Sequence, residues 1–156
     1  MVILGIDPGS SRIGWGAVRK DGDWVFAGCG TIEIKSADLQ KTESELNALL
    51  NKFRPALAAV EKLYFVKNQK SALAVSQARG VIMLTVAKRN IPVLEYAPTE
   101  VKSAIAGDGR ASKKTVAVMA ARILKIGKIG GLDDASDALA IAMTAAARHK
   151  LDTLKQ

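Results

Sequence analysis

The chain has 156 residues, of which 49% are hydrophobic, and carries a formal net charge of +8; this suits a single domain, residues 1–156, with one core. The single Cys29 and the late His149 argue against an internal disulfide, a cysteine-based zinc site and histidine-dependent catalysis. No apolar run approaches the ~18 residues that span a bilayer, and Asp7 follows Met1 too closely for a secretory signal, so we expect a cytoplasmic protein.

Three strand-like runs open the chain, at residues 2–7, 12–19 and 23–34. Asp21-Gly22, between the second and third runs, is a strong hairpin signal because glycine tolerates the positive φ that tight turns require. We therefore predict an antiparallel meander of three strands.

Helices and strands alternate after the meander. We predict helices at 37–53, 69–89, 98–106, 112–125 and 133–149, with strands at 56–61 and 92–96. The helix at 69–89 is apolar around much of its circumference, so it should pack on the sheet and on something else, with a partner subunit as one candidate. This order predicts a mixed α/β sheet of five strands, an antiparallel meander of three plus two parallel strands, with helices on both faces.

Basic residues are concentrated in two parts of the chain. Residues 62–94 hold six basic residues and no acid, and residues 102–128 hold seven basic residues against Asp108 alone. Such blocks favour a polyanionic partner, because each neutralised phosphate releases condensed counterions. An ordinary solvated surface is the alternative, so charge alone leaves a nucleic-acid partner open.

Four carboxylates lie where a catalytic site is expected. Asp7 ends the first strand and Glu61 ends the fourth, and ligands of open α/β sheets collect at the carboxyl ends of strands. Asp134 and Asp137 are three residues apart at the start of the last helix and so share one face, while Asp133 suits the helix cap. Taken singly, each acid also fits a structural role, in a turn, on the surface or beside the helix dipole.

A set of carboxylates without cysteine or histidine suits hard divalent cations, Mg²⁺ or Mn²⁺. Two such ions about 3.5–4 Å apart activate water and stabilise the leaving oxygen when a phosphodiester is displaced in line. The sequence therefore predicts two metal ions per active site, with the basic blocks as a rim that holds a nucleic-acid backbone.

These acids belong to motifs that occur in order over residues 2–147. The motifs are Ile3-Leu4-Gly5-Ile6-Asp7-Pro8-Gly9, Gly14-Trp15-Gly16, Ala59-Val60-Glu61-Lys62-Leu63-Tyr64-Phe65, Gln77-Ala78-Arg79-Gly80 and Asp134-Ala135-Ser136-Asp137-Ala138-Leu139-Ala140. This ordered set closely resembles the RuvC family of Holliday-junction resolvases, which have an RNase H-like fold. The resemblance implies an Mg²⁺-dependent endodeoxyribonuclease that resolves four-way DNA junctions by paired symmetric nicks with 5′-phosphate ends, in DNA recombination and repair.

The resemblance also implies residue roles and partners. By position, the metal-binding catalytic carboxylates are Asp7, Glu61, Asp134 and Asp137. The residues implied at the DNA interface are Lys102, Lys113, Lys114, Tyr64, Lys67 and Arg79, where Lys114 is the alternative to Lys113 and core packing is the alternative for Tyr64. The helix at 69–89 matches the family's dimer helix, which implies a homodimer, and a branch-migration helicase is a candidate partner.

Three other functions stay open on sequence grounds. An ATP-using phosphotransferase of similar fold needs two such domains to enclose its nucleotide, and no P-loop is present. A non-catalytic junction-binding protein needs the basic blocks but has no need of all four acids. A nuclease of the same fold that acts on structured RNA is the third, and the long dimer-like helix argues against it.

Overall fold

The strands and helices follow the predicted order in a computed structural model of the chain, which describes residues 1–35, 38–63, 69–130 and 133–153 and side chains up to residue 148. The strands are β1 (Val2–Asp7), β2 (Arg12–Asp21), β3 (Asp23–Glu33), β4 (Leu57–Glu61) and β5 (Val93–Tyr96). The helices are α1 (Leu39–Phe53), α2 (Gln69–Ala87), α3 (Pro98–Ala106), α4 (Lys113–Ile123) and α5 (Asp133–Thr153).

The five strands form one sheet in the order β3-β2-β1-β4-β5. Strands β1, β2 and β3 pair antiparallel in succession, β4 runs parallel to β1, and β5 runs parallel to β4. The predicted meander followed by two parallel strands is confirmed. Because β1 and β4 are parallel neighbours, their carboxyl ends meet at the same edge of the sheet.

A tight hairpin joins β2 to β3, as the Asp21-Gly22 signal predicts. Gly22 lies at the tip with φ +67°, a left-handed value that glycine adopts without steric cost. The flanking residues Asp21 and Asp23 pair with each other, so strand pairing continues up to the turn. For this reason β2 ends at Asp21 rather than at residue 19.

Alternate residues of β1 face opposite sides of the sheet, as the period of two in a strand requires. Leu4 and Ile6 are buried in a core that includes Leu46 of α1 and Ile82 of α2. On the opposite face, Ile3 is buried with residues of α3, α4 and α5. The predicted placement of helices on both faces of the sheet is confirmed.

Side-chain caps decide where two helices begin. Asp38 caps α1 and Ser112 caps α4, each accepting a hydrogen bond from the backbone N–H three residues later. Such caps satisfy N–H groups that have no carbonyl partner in the first turn. The predicted helices at 37–53 and 112–125 therefore start too early. Helix α5 is described from Asp133, the residue at which the predicted helix also begins.

Helix α2 presents one apolar face to the sheet and another to solvent. Ala78, Ile82 and Val86, spaced four residues apart, are buried. On the other side, the side chains of Leu73 and Leu84 are 63% and 55% exposed. The second apolar face expected from the sequence is thus present and uncovered in the single chain.

Helix α5 lies directly on β1 and β2, because these strands carry glycine where the helix crosses them. A Cβ atom added to Gly5 would lie 2.1 Å from the carbonyl oxygen of Ala138, and one added to Gly14 would lie 2.0 Å from that of Asp134. This close contact holds the first turns of α5 over the end of β1. None of the helices described is both long and apolar enough to cross a membrane.

Candidate active site

Asp7 and Glu61 come together at the edge where β1 and β4 end. The parallel register pairs Ile6 with Val60, so the next residues along the two strands are neighbours. Their carboxyl groups lie close enough for the charge of Glu61 to raise the pKa of Asp7. The sequence-based expectation that these two acids meet is confirmed.

Asp137 reaches the same place from the second turn of α5. It lines a cleft of about 320 Å³ together with Asp7 and Glu61. The cleft also has two lysines, Lys102 and Lys113, on its wall. Its remaining lining residues are Pro98, Val101, Val116, Ala140 and Ile141. The site therefore combines three acids and two bases against a largely apolar wall.

Burial and mutual repulsion make the acidic cluster unfavourable in its ionised form. Burial, followed by the charges of Glu61 and Asp137, raises the pKa of Asp7 to about 8. Burial, followed by the charge of Asp137, also raises the pKa of Glu61, although the ammonium groups of Lys113 and Lys102 oppose that rise. Both shifts follow because a carboxylate loses hydration when buried and is repelled by its neighbours. A cation in the cleft would relieve both costs.

Lys113, one of the sequence-predicted DNA contacts, is bonded directly to an acid of the cleft. Its Nζ donates a hydrogen bond to Oδ2 of Asp137 at 2.6 Å. This bond, opposed by burial, raises the pKa of Lys113, so the group stays charged. With 69% of its side chain exposed, Lys113 can also be reached from solvent. Lys113 rather than Lys114 is therefore the lysine that faces the cleft.

Asp134 differs from the other three acids because it pairs with Arg12 and does not line the cleft. Its Oδ2 accepts a hydrogen bond from Nε of Arg12 at 3.0 Å, and it is absent from the lining of the cleft. It nevertheless lies near enough for its charge to contribute to the raised pKa of Asp7. Arg12, which falls in a predicted strand, is not among the site residues predicted from the sequence. The one feature of the sequence that could have pointed to Arg12 is its position, as a basic residue just after the Pro8-Gly9 turn that follows Asp7.

The remaining predicted DNA contacts are scattered. Lys114 lines a second groove of about 420 Å³, on a neighbouring face of α4, with Arg122 and Lys128. Arg79 lies on α2 and forms an ion pair with Glu95 of β5. Tyr64 and Lys67 fall outside the described residues. Of the four positions that the structure describes, Lys102 and Lys113 line the acidic cleft, and Lys114 and Arg79 do not.

The donor set fits a hard divalent cation, since it offers carboxylate oxygens alone. In residues 1–35, 38–63, 69–130 and 133–153, however, no group of three or more acidic, histidine or cysteine side chains is already arranged to hold a metal ion. Two of the acids are instead engaged in ion pairs, Asp137 with Lys113 and Asp134 with Arg12. Rotation of these two side chains would free their carboxylates for a cation.

The chain has the RNase H-like fold and the site of a nuclease. Its mixed sheet carries acids at the ends of β1 and β4, and a further acid on α5 lies beside them with two lysines. The family model described as "Crossover junction endodeoxyribonuclease RuvC" matches residues 3–145. The chain therefore belongs to the RuvC family of crossover junction endodeoxyribonucleases, and the resemblance drawn from its motifs is confirmed.

Individual relatives agree with this family. The protein named Crossover junction endodeoxyribonuclease RuvC from Roseiflexus sp. (strain RS-1) is 44% identical over 147 residues, covering 90% of this chain and 87% of the relative. Its namesake from Thermotoga petrophila is 44% identical over 148 residues, covering 91% and 90%. The structure of Thermus thermophilus RuvC in complex with Holliday junction substrate has a TM-score of 0.90 at 31% identity, covering 98% of this chain and 97% of that one.

Proposed function

We propose that this chain resolves Holliday junctions by paired symmetric nicks in DNA recombination and repair, leaving 5′-phosphate ends. Membership of the RuvC endodeoxyribonuclease family supports the reaction. The Thermus thermophilus relative, described in complex with Holliday junction substrate, supports the four-way junction as the DNA that is cut. The observation that carries the proposal for this chain is the convergence of Asp7, Glu61 and Asp137 beside Lys113 in one cleft.

RuvC nucleases are metal-dependent, and Asp7, Glu61, Asp134 and Asp137 are the side chains proposed to bind the metal. The ions proposed are two Mg²⁺ per site, with Mn²⁺ able to replace them, because the donors are all carboxylate oxygens. When bound, such ions activate the attacking water and stabilise the leaving oxygen. The raised pKa of Asp7, about 8, supports a site that needs positive charge.

Lys113 and Lys102 are proposed to hold the phosphodiester against the acids. Both line the cleft, on α4 and α3 respectively, so an ammonium group can approach a phosphate from either helix. Lys113 already places a charged donor 2.6 Å from Asp137. When a phosphate enters, Lys113 can donate to it and leave Asp137 free to bind metal. The apolar residues on the wall of the cleft lower the local dielectric on one side of these charged groups, which strengthens their interactions.

The DNA backbone is proposed to continue from the cleft along α4. Lys114, Arg122 and Lys128 surround the neighbouring groove and form a second set of cations beside Lys113. Phosphate contacts of this kind supply affinity and orientation rather than sequence preference. Arg79 is less suited to contact DNA, because Glu95 already neutralises it.

A homodimer through α2 is proposed as the source of the paired nicks. Leu73, Gln77, Gly80 and Leu84 are all exposed and recur at helical spacing along one side of α2. A two-fold contact between two such faces would cover the apolar side chains and place two equivalent active sites on one junction. Symmetric cuts on two strands require such a pair of sites.

The test is cleavage of a mobile four-way DNA junction by the full chain in Mg²⁺, with nicks mapped on all four strands. We expect nicks at symmetric positions on two strands, with duplex DNA and structured RNA cut far more slowly. Binding without nicks would indicate a non-catalytic junction-binding protein, and preferential RNA cleavage would indicate an RNA nuclease. Either result would overturn the proposal.

Asp7→Asn tests the site itself. We expect this variant to bind the junction as the wild type does and to lose nicking, because an amide is a poor ligand for Mg²⁺. Asp23→Asn is the matched control, since it removes the same charge at an exposed position at the start of β3. Full cleavage by Asp7→Asn, or equal loss in both variants, would remove the basis for assigning the metal site to this cleft.

A further inference from the structure

Arg12 makes a contact that the proposed mechanism leaves unexplained. Its guanidinium, at the start of β2, donates to Asp134 across 122 residues of sequence. Asp134 is one of the four acids proposed to bind metal, yet it is the one that does not line the cleft. An acid cannot give the same lone pairs fully to an arginine and to a metal ion.

The backbone of Asp134 has no room to move closer to the sheet. Its carbonyl oxygen would lie 2.0 Å from a Cβ atom at Gly14, so α5 already touches β2 as closely as a residue without a side chain allows. The adjacent crossing at Gly5 is similarly tight, with the carbonyl oxygen of Ala138 2.1 Å from an added Cβ atom. Since the start of α5 is packed closely on the sheet, side-chain rotation is the smallest movement that brings the Asp134 carboxylate towards Asp7 and Asp137.

The Arg12–Asp134 pair is suited to opening. Its side chains are 44% and 32% exposed, so both ends are within reach of water. Exposed ion pairs contribute little net stability, because they gain modest Coulomb energy in a high dielectric and lose side-chain entropy. Rotation of Arg12 would return its guanidinium to solvent, or to a nearby phosphate, at little cost.

We infer that Arg12 is a positioning residue that holds Asp134 out of the acidic cluster in the DNA-free protein and so lowers the affinity of the site for a divalent cation. The inference rests on the proposed function, in which Asp134 is a metal ligand. Metal binding then competes with the ion pair, and removing the arginine favours binding. A phosphate that draws Arg12 away has the same effect, so DNA and metal binding reinforce each other, as linkage requires.

The experiment measures Mn²⁺ binding to the full, metal-stripped chain without DNA, by calorimetry or by the electron paramagnetic resonance of free Mn²⁺. We expect Arg12→Ala to bind Mn²⁺ about three- to fivefold more tightly than the wild type, the upper range for loss of an exposed ion pair. Arg12→Gln, which keeps most of the side-chain volume, is expected to do the same and provides a folded variant if the alanine variant is unstable.

Two controls separate this effect from a general change of charge. Arg19→Ala is the matched control, because Arg19 lies on the same strand and forms an exposed ion pair with Asp21 at 3.7 Å. It should leave Mn²⁺ affinity unchanged. In an Asp134→Asn background, Arg12→Ala should lose its effect, since the residue it acts through has been removed.

Unchanged or weaker Mn²⁺ binding in both Arg12 variants would overturn the inference, because the arginine would then be neutral or would support Asp134 as a ligand. A gain that persists without Asp134 would overturn it as well, since a simple local charge effect would account for it. Failure of the proposed function looks different: Asp7→Asn would bind Mn²⁺ as the wild type does, or the wild type would not nick junctions.

Discussion

Gly5→Ala should damage both stability and catalysis, although it adds a single methyl group. The new Cβ atom would lie 2.1 Å from the carbonyl oxygen of Ala138 and 2.6 Å from the backbone nitrogen of Ala142. Ordinary van der Waals contact for such an atom begins at 3.4 Å. Because both neighbours are backbone atoms of α5, no side chain can rotate to make room, and the helix must move away from β1 by about 1 Å or more.

The size of the effect follows from that displacement. Overpacking a well-packed core costs about 1–3 kcal/mol, and two backbone clashes place this site at the upper end. For a chain of this length, about 3 kcal/mol lowers Tm by roughly 6–12 °C. Asp137 moves with α5 while Asp7 stays on β1, and a displacement of about 1 Å between catalytic groups lowers the rate about 100-fold.

The assay is thermal unfolding followed by circular dichroism, with junction nicking measured well below Tm. Gly127→Ala is the matched control, because a Cβ atom there meets nothing within 4 Å. We expect that variant to match the wild type or to gain up to about 1 kcal/mol, since alanine restricts the unfolded chain. A Gly5→Ala protein that unfolds within a degree of the wild type and nicks at full rate would show that α5 is not seated on β1 as described.

Three further predictions concern charge and assembly. Because the pKa of Asp7 is raised from 3.8 to about 8, the folded chain binds more protons than the unfolded one between these pH values. Metal-free protein should therefore lose stability as pH rises from about 4 to about 8. Over the same range, the difference between the Tm in Mg²⁺ and the Tm in EDTA should increase. Lys113→Ala should slow nicking and reduce the salt slope of junction binding by about one, whereas Lys20→Ala should not slow nicking. The double variant Leu73→Asp/Leu84→Asp should sediment as a monomer. Its Tm at low concentration should be unchanged, because both side chains are exposed in the single chain. If the double variant still sediments as a dimer, α2 is not the dimer contact.

Regular sequence patterns made most of the fold predictable, and with it the meeting of two of the four acids, Asp7 and Glu61. The meander follows from alternating apolar residues and a glycine turn, which are local signals. Asp7 and Glu61 could be placed together because each ends a buried strand, and parallel neighbours end at one edge. The helix that carries Asp137 was predicted from residue 133, and α5 begins there. All these features depend on the identity of nearby residues and on the fixed periods of strands and helices.

Ion pairs could not be predicted in the same way. Spacing puts Asp134 and Asp137 on one face of α5, but it does not say that Arg12 will bind the first and Lys113 the second. Arg79 was assigned to DNA on motif and charge, yet it pairs with Glu95 from a strand that lies beside its helix. Partners of this kind are far apart in sequence and meet only through the packing of whole elements.

These ion pairs explain how a cleft rich in carboxylates can fold before any metal is bound. The deeper pair, Asp7 and Glu61, keeps a proton near neutral pH, because burial and repulsion raise the pKa of Asp7 to about 8. Asp137 and Asp134, nearer to solvent, are neutralised by Lys113 and Arg12. Every acid therefore has a compensating partner, so the desolvation cost that would otherwise oppose folding is reduced. In the proposed function, divalent cations would replace this proton and these two side chains, and the released lysine and arginine would then be available for the phosphates of the DNA.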